Sequence, residues 1–404
     1  MFKLPLHGVR VLDLTMAWAG PYATRLLADM GAEVIKVEAA KNWDLLRTYT
    51  GQPPDVERVW DKSPYFNHVN RNKYGCALDL SNDRGRELLL KLVTLSDVVI
   101  ENFRAEVMDN LRLSYETLSM PGHGKSGPES GFIAYGTNVE QLAGLCSLTG
   151  YEDGPPQKTG ISYGDPIAGI AAAGAVPLAL WDRRRTGQGQ YIEVAERENL
   201  VAAIGEFIVG YSMNGRQPER PGNRHSSMAP HGCYPCAGED QWLTLACEDD
   251  AQFAALAALI GQPELARDER FADVVSRYHN QRELDEIIAG WTRKHDKRGA
   301  AAALQAAGVP ASPVLTVIDI FEDEHLRARG FFEPVSHTVA GVSEIEAPHW
   351  RMSETPAHIR LPAPSFAEHN HYVFRDLLGL TDQEIADLYE AGVTGATPNR
   401  AAHQ

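Results

Sequence analysis

The chain has 404 residues, of which 44% are hydrophobic and 23% are charged, and its formal net charge is −16. This length exceeds the usual size of a single hydrophobic core, so we expect two domains, or one domain with a large insertion. The acidic balance argues against nucleic acid or anionic lipid as a general partner, because phosphate contacts need a basic face.

Short apolar strands alternate with helices through the first hundred residues. Strands are predicted at residues 9–14, 32–37, 77–80 and 97–100, with helices at 21–30 and 84–95. Ser81 or Asp83 is expected to open the second of these helices. Strand–helix–strand units of this kind join parallel strands, so the sequence predicts an α/β fold with a Rossmann-like parallel sheet.

The turn after the first strand, residues 15–21, contains a single glycine. A dinucleotide-binding turn needs several glycines to admit a pyrophosphate, so a dinucleotide oxidoreductase is disfavoured. The sheet can be Rossmann-like without that ligand.

The second half of the chain adds a long helix, a linker and a smaller α/β unit. Its predicted helices cover residues 169–181, 197–211, 250–260, 281–294, 297–307 and 381–391, and its predicted strands cover 190–194 and 241–246. The stretch 214–230, rich in Pro, Gly and Arg, is typical of a linker. We therefore expect a large domain at 1–213 and 326–404, a linker at 214–224, and a small inserted domain at 225–325.

Five cysteines without a regular spacing are typical of a protein in a reducing cytosol. Cys233 and Cys236 form a C-x-x-C pair, but no second pair completes a zinc site, so no bound metal is expected. Residues 1–8 lack the features of a signal peptide, and no apolar stretch approaches about 20 residues. The sequence thus predicts a cytoplasmic protein without a membrane-spanning segment.

Residues 161–169 place one acid, Asp165, between Gly164 and Gly169 at the start of the long helix. Glycines let backbone crowd a reacting group, so Asp165 is a candidate nucleophile. An aspartate directly before Pro166 is also typical of a helix N-cap, and the local sequence alone favours that interpretation.

Eight short motifs run through nearly the whole chain. They lie at residues 8–14, 19–21, 31–38, 101–103, 148–156, 164–165, 185–190 and 222–224. In this order and at this spacing they resemble the family III (CaiB/BaiF-like) coenzyme A transferases, which include formyl-CoA, carnitine-CoA and benzylsuccinate-CoA transferases and the related α-methylacyl-CoA racemases.

The resemblance implies that Asp165 is the nucleophile, which attacks an acyl-CoA to give a mixed anhydride and then an aspartyl-CoA thioester. An unperturbed aspartate, with a pKa of about 3.9, is ionised at neutral pH and needs no activating base. Gly136 and Gly164 are either backbone donors to the oxyanion or ordinary turn residues. The resemblance also implies an interlocked-ring homodimer, or a heteromer with a paralogous subunit, with CoA and acyl-CoA as substrates and no tightly bound cofactor.

The resemblance further implies a set of contacts to CoA. These are Ala17, Trp18, Ala19, Lys41, Leu78, Asn102, Phe103, Arg104, Tyr135 and Gly136. Three positions that are commonly basic in the family read Ala39, Ser81 and Asn110 here. The charge is expected instead from neighbouring cations, namely Lys41, Lys73, Arg84, Arg104 and Arg112.

The segment around Leu118 and Ser119 is about ten residues shorter than the resemblance implies, and a sheet strand falls in the missing part. Either the sheet is one strand shorter or the sequence omits a piece. His123, in the loop that follows, is either a substrate contact or a surface residue.

Two alternatives stay open for the activity. In a 2-methylacyl-CoA racemase a histidine would stand where this chain has Tyr135, and tyrosine is a poor proton carrier at pH 7. A non-catalytic partner subunit is the second alternative. Arg47 and Arg224 favour a dicarboxylic acid as the acceptor. The second hypothesis is an aryl pocket lined by Trp43, Trp60 and Phe66.

Overall fold

The computed structural model describes residues 4–53, 55–104, 106–113 and 118–399. The chain forms two compact units. The first contains Met1–Cys146, Lys158–Arg216 and Arg327–Gln404, and the second contains Ser147–Gln157 and Gln217–Leu326. Residues 147–157, which the sequence analysis assigned to the large domain, fall in the second unit.

A parallel sheet forms the centre of the first unit. Its strands are β1 (Arg10–Asp13), β2 (Glu33–Glu38), β3 (Lys73–Ala77), β4 (Val98–Glu101) and β5 (Leu118–Ser119). They lie in the order β3-β2-β1-β4-β5, and every pairing is parallel. The predicted α/β fold with a parallel sheet is therefore confirmed. The strand order changes direction between β1 and β4, which is where open α/β sheets bind ligands.

Helices connect the strands of this sheet and continue after β5. In chain order they are α1 (Ala19–Asp29), α2 (Pro64–Asn70), α3 (Asp83–Thr94), α4 (Val107–Asn110), α5 (Gly136–Leu142), α6 (Leu145–Leu148), α7 (Gly164–Thr186), α8 (Glu196–Ala203) and α9 (Gly205–Asn214). Helix α7 packs on α1 through small buried residues such as Ala168 and Ala172. Small side chains allow the two helix backbones to approach closely, which brings the start of α7 to the start of α1.

The second unit is a small α/β domain with an antiparallel sheet of order β6-β7-β8. Its strands are β6 (His231–Pro235), β7 (Trp242–Ala246) and β8 (Ala311–Pro313). The helices that follow β7 are α10 (Asp250–Leu259), α11 (Val274–His279), α12 (Gln281–Thr292), α13 (Lys297–Ala306), α14 (Val317–Phe321) and α15 (Glu324–Ala328). Leu243, Phe253 and Leu284 lie at the centre of its hydrophobic core.

The C-terminal part of the chain completes the first unit. A hairpin of β9 (Phe332–His337) and β10 (Gly341–Glu346) precedes a π-helical segment, Tyr372–Leu377, and a final helix, α16 (Asp382–Glu390). Val373 and Phe374 are fully buried in the core beside β1 and β2.

Several predicted boundaries are wrong. The strand predicted at 77–80 is β3, at Lys73–Ala77, and Asn82 rather than Ser81 or Asp83 caps the following helix. No strand element forms at 190–194, and the helix predicted at 197–211 is divided into α8 and α9. At the short Leu118–Ser119 junction the described residues form β5, a two-residue strand paired with β4.

Among the described residues one helix, α7, is long and apolar enough to cross a membrane by length and composition, with a mean hydropathy of 1.3. No membrane-spanning segment was expected from the sequence, and a single helix of this kind is weak evidence for one. Core helices pass the same test, and α7 contributes Ala168, Ala172 and Val176 to the hydrophobic core that it shares with α1.

Candidate active site

Hydrogen bonds join the loop that follows β1 to the loop that follows β4, at the point where the strand order changes direction. The Met16 N–H donates to Asn102 Oδ1 at 2.8 Å, and Asn102 Nδ2 donates to the Met16 carbonyl at 2.7 Å. The next residue, Ala17, has a φ of +62°, and its N–H donates to Asp44 Oδ1 at 3.2 Å. A positive φ costs free energy for alanine, so these contacts hold the loop in a conformation it would otherwise leave.

A cavity of about 480 Å³ lies beside this loop, within the size range of natural small-molecule sites. Eight of the eleven residues predicted for the site line it. They are Ala17, Trp18, Asn102, Phe103, Arg104, Tyr135, Gly136 and Asp165. The structure therefore brings together side chains from four separate parts of the sequence.

Asp165 lies in the first turn of α7 and is half-buried. The N-cap position of α7 is Tyr163, and no side chain caps the helix there. The interpretation of Asp165 as the N-cap residue is therefore wrong, because Asp165 lies inside the first turn of the helix, where it lines the cavity. Helix α7 still favours a negative charge at this position through its dipole.

Two glycines allow the backbone to crowd this carboxylate. A Cβ added to Gly136 would lie 1.8 Å from Asp165 Oδ2, so no other residue fits without moving the carboxylate. A Cβ added to Gly169 would lie 2.9 Å from the Ala19 carbonyl, which shows how closely α7 approaches α1. As a result the Ala19 N–H faces the Asp165 carboxylate.

Two carboxyl groups that interact electrostatically, those of Asp165 and Glu196, line the cavity. Burial, together with the charge of Glu140, raises the pKa of Asp165 to about 6, although the N–H groups of Ala19 and of Asp165 itself oppose the rise. Burial and the charge of Asp165 raise the pKa of Glu196, which also lines the cavity, to about 8. Burial and mutual repulsion therefore disfavour a second negative charge on this pair.

Glu140 fixes the segment that leads into α7. It is fully buried and accepts hydrogen bonds from Thr159 Oγ1, at 3.0 and 2.9 Å, and from the Tyr163 N–H. These bonds tie the loop before Asp165 to α5, which carries Gly136 near its start. The geometry of the Gly136–Asp165 contact is thereby set from both sides.

Three of the predicted CoA contacts do not line the cavity. Ala19 is 1% exposed and reaches the site only through its backbone. The Lys41 ammonium group pairs with Asp79 at 3.2 Å, and Leu78 is 1% exposed in the core around β2 and α3. Lys41 therefore forms an ion pair and Leu78 packs in the hydrophobic core, and neither residue lines the cavity.

The other cations proposed from the sequence have structural partners. Arg47 is fully buried and pairs with Glu38 at 2.7 Å and with Asp61 at 2.9 Å, so it is not free to bind a substrate carboxylate. Lys73 is likewise buried and pairs with Asp13 at 3.0 Å.

Three further arginines are also engaged elsewhere. Arg84 pairs with Glu87, and Arg224 lies 3.5 Å from Glu152 within the second unit. Arg112 lines a different cavity of the first unit. None of the three lines the cavity that holds Asp165.

The predicted aryl pocket is also wrong. Trp43, Trp60 and Phe66 are 6%, 7% and 0% exposed, each packs in a hydrophobic cluster, and none of the three lines the cavity. The aromatic residues that do line the cavity include Tyr65 and Phe132.

Sequence reasoning missed several cavity residues. Glu196, Lys158 and Tyr65 all line it, and His123, considered only as a loop histidine, does so too. An acid at the start of a helix is so ordinary that Glu196 gave no usable signal. Of these residues only Lys158 had a local signal in the sequence, because it lies seven positions before Asp165 and between glycine-containing turns.

The fold is α/β, and a half-buried carboxylate lines a cavity where the strand order of the sheet changes direction. The sequence matches the model of CoA-transferase family III over residues 6–370. The chain belongs to CoA-transferase family III and is a CoA-transferase, an enzyme class that uses CoA thioesters as substrates. The resemblance inferred from the sequence motifs is confirmed.

Curated relatives and a solved structure agree with this assignment. The chain is 34% identical over 394 residues to the succinyl-CoA–D-citramalate CoA-transferase of Chloroflexus aurantiacus, covering 95% of this chain and 96% of the relative. It is 35% identical over 391 residues to the succinate–glutarate CoA-transferase of Agrobacterium fabrum, covering 93% and 96%. A crystal structure of a CaiB/BaiF family protein from Brucella suis superposes with a TM-score of 0.83 at 32% identity, covering 93% of this chain and all of that one.

Proposed function

We propose that the enzyme transfers CoA from an acyl-CoA to a carboxylic acid by covalent catalysis, with Asp165 as the nucleophile. The observation that carries this proposal is the half-buried Asp165 carboxylate, which contacts Gly136 and lines the cavity at the sheet's change of direction. With a pKa of about 6 it is largely ionised at pH 7 and needs no separate base.

The proposed reaction has two half-reactions. Asp165 attacks the thioester carbonyl, the C–S bond breaks, and a mixed anhydride and CoA thiolate form. The thiolate then attacks the Asp165 carbonyl of the anhydride, releases the donor acid and leaves an aspartyl-CoA thioester. The acceptor carboxylate repeats these steps in reverse and departs as the new acyl-CoA, which preserves the energy of the thioester throughout.

Each tetrahedral intermediate carries a negative oxygen that needs a preorganised donor. The Ala19 N–H faces Asp165, and the N–H groups in the first turn of α7 lie beside it. Burial of the carboxylate also limits water, which would otherwise hydrolyse the anhydride. We therefore assign oxyanion stabilisation to the backbone of α1 and α7, with Gly136 allowing the close approach.

We propose that the thioester end of CoA lies in the cavity against the residues contributed by the loops after β1 and β4. This assignment retains Ala17, Trp18, Asn102, Phe103 and Arg104 as CoA contacts, since all of them line the cavity. Lys41 and Leu78 are no longer proposed, because neither lines it.

We propose a dicarboxylic acid as the substrate class. The two relatives described above are named for transfers involving citramalate, succinate and glutarate. In this chain Arg104, His123 and Lys158 line the cavity, and within the described residues no salt bridge engages them. A cation near the reacting carboxylate is what a second substrate carboxylate requires.

We further propose that the protein acts as an interlocked homodimer in the cytoplasm. Helix α9 has no buried residue, and its apolar side chains are exposed, with Ile208 at 53% and Met213 at 81%. Such a surface is typical of one covered by a second copy of the chain. All five cysteines are free, as a reducing compartment requires. Size-exclusion chromatography with light scattering tests the assembly, and a monomer would overturn it.

The nucleophile is tested by mass spectrometry of CoA products formed from succinyl-CoA and a panel of mono- and dicarboxylic acids. Asp165→Asn should lose at least about 10³-fold in turnover. Asp182→Asn, at an exposed position of the same helix, should behave as wild type. Hydroxylamine trapping should modify a peptide that contains Asp165.

Two results would overturn this function. Hydrolysis of acyl-CoA without transfer to any acid would refute the transferase reaction. Exchange of the α-proton of a 2-methylacyl-CoA with solvent deuterium, in the absence of an acceptor, would instead support the racemase.

A further inference from the structure

A second carboxyl group in the reaction cavity has no role in the mechanism so far. Glu196 is the first residue of α8, is 7% exposed, and lines the cavity together with Asp165. Within the described residues its carboxyl group has neither a salt-bridge partner nor a hydrogen-bond donor. The start of α8 favours a negative charge at this position, but burial and the neighbouring Asp165 carboxylate oppose it more strongly, so the neutral acid is the favoured form.

The elements packed against α8 bring further acids and no positive partner to Glu196. Helix α7 contributes Asp165, and α5 contributes Glu140, whose oxygens are occupied by Thr159 and the Tyr163 N–H. The first of these raises the pKa of Glu196 in addition to its burial.

Arg104 and Lys158 line the same cavity but form no ion pair with Glu196, and the other charged groups nearby are directed elsewhere. The backbone segment at Pro121 accepts the Glu196 N–H, and His123 two residues further lines the cavity. On α8 itself Arg197 pairs with Glu129, and Glu198 is exposed. No described cation therefore neutralises Glu196.

We propose that Glu196 acts in CoA transfer as a neutral carboxylic acid whose O–H donates a hydrogen bond into the reaction cavity beside Asp165. The inference rests on the proposed function, because the groups it would serve are the anions of that reaction. Those anions are the acceptor carboxylate, the oxyanion of each tetrahedral intermediate and the CoA thiolate.

The different protonation states of Asp165 and Glu196 then give the two carboxyl groups different roles. Between about pH 6 and pH 8 Asp165 is ionised and attacks, while Glu196 keeps its proton and donates. Above about pH 8 an ionised Glu196 would lose its donor and would repel the incoming anions. The structure thus predicts an alkaline limit on activity that belongs to Glu196.

The test compares Glu196→Gln and Glu196→Leu with the wild type, measuring kcat and KM between pH 5.5 and 9.5. Glutamine keeps an N–H donor and cannot ionise, so E196Q should stay within about threefold of wild type at pH 7 and should not decline above pH 8. Leucine removes the donor, so E196L should lose about 100-fold in kcat. Glu198→Gln, on the exposed face of the same helix, should reproduce the wild-type profile.

An infrared titration gives a readout that does not depend on turnover. A protonated-carboxyl band that disappears near pH 8 in the wild type should be absent from E196Q. If E196L fails to fold by circular dichroism, E196Q and this band decide the matter.

An unchanged alkaline limb in E196Q, or the absence of that band, would overturn the role of Glu196 while leaving CoA transfer by Asp165 intact. Failure of the wild-type protein to transfer CoA to any acid would overturn the proposed function, and this inference would fall with it.

Discussion

Replacing Gly136 with alanine should inactivate the enzyme without unfolding it. The added Cβ would lie 1.8 Å from Asp165 Oδ2 and 2.6 Å from Ser162 Cβ, whereas real Cβ contacts stay above 3.0 Å. The Asp165 carboxylate must therefore move by about 1 Å, a displacement that typically costs about 100-fold in rate. This corresponds to about 2.7 kcal/mol of lost transition-state stabilisation.

The backbone itself should accept the change. Gly136 does not have a positive φ and begins α5, where alanine is favoured over glycine by up to about 1 kcal/mol. The assay is kcat/KM for CoA transfer, with thermal unfolding measured in parallel. Gly290→Ala, in α12 with nothing within 4 Å of the added Cβ, is the matched control and should keep full activity. Activity of Gly136→Ala within threefold of wild type would refute the reasoning.

Three further predictions concern the loop, the pH and the buried charges. Asn102→Ala removes both hydrogen bonds to Met16, so kcat/KM should fall about tenfold with little change in the unfolding free energy. The acid limb of kcat/KM should lie near pH 6, where Asp165 loses its proton because burial has raised its pKa; a limb near pH 4 would contradict this. Arg47→Leu leaves Glu38 buried without its main partner, so urea denaturation should show about 3–5 kcal/mol of lost stability; a stable variant with a raised KM for the acceptor would restore Arg47 as a substrate contact.

The alternating part of the fold could be predicted because its signals are local. β1, β2 and β4 are short runs of β-branched and apolar residues bounded by turns, and α1 and α3 have helical spacing. β3 was misplaced because it begins with Lys73, a residue that a local pattern assigns to the surface. Its burial depends on Asp13, sixty positions earlier, which no window of sequence contains.

The same limit applies to the site, where features close together in the sequence could be predicted and contacts between distant residues could not. Flanking glycines drew attention to Asp165 and the family resemblance made it the candidate nucleophile, although the glycine that contacts its carboxylate is Gly136, from another helix. Arg47 was misread as a substrate contact because its buried partners come from β2 and from the segment around Asp61. The sequence shows that a residue is charged, whereas the fold determines which residue pairs with it.

The arrangement of helix ends explains how a chain with a net charge of −16 can hold an anionic reaction centre. α1, α7 and α8 begin at or beside the cavity, through Ala19, Gly164 and Glu196. Each helix start carries roughly half a positive charge on its free N–H groups, and these groups are fixed before the substrate arrives. Fixed dipoles stabilise developing negative charge without pairing permanently with Asp165, as a lysine or arginine would. In the proposed mechanism Asp165 therefore stays reactive, because its stabilisation comes from the backbone and not from a salt bridge.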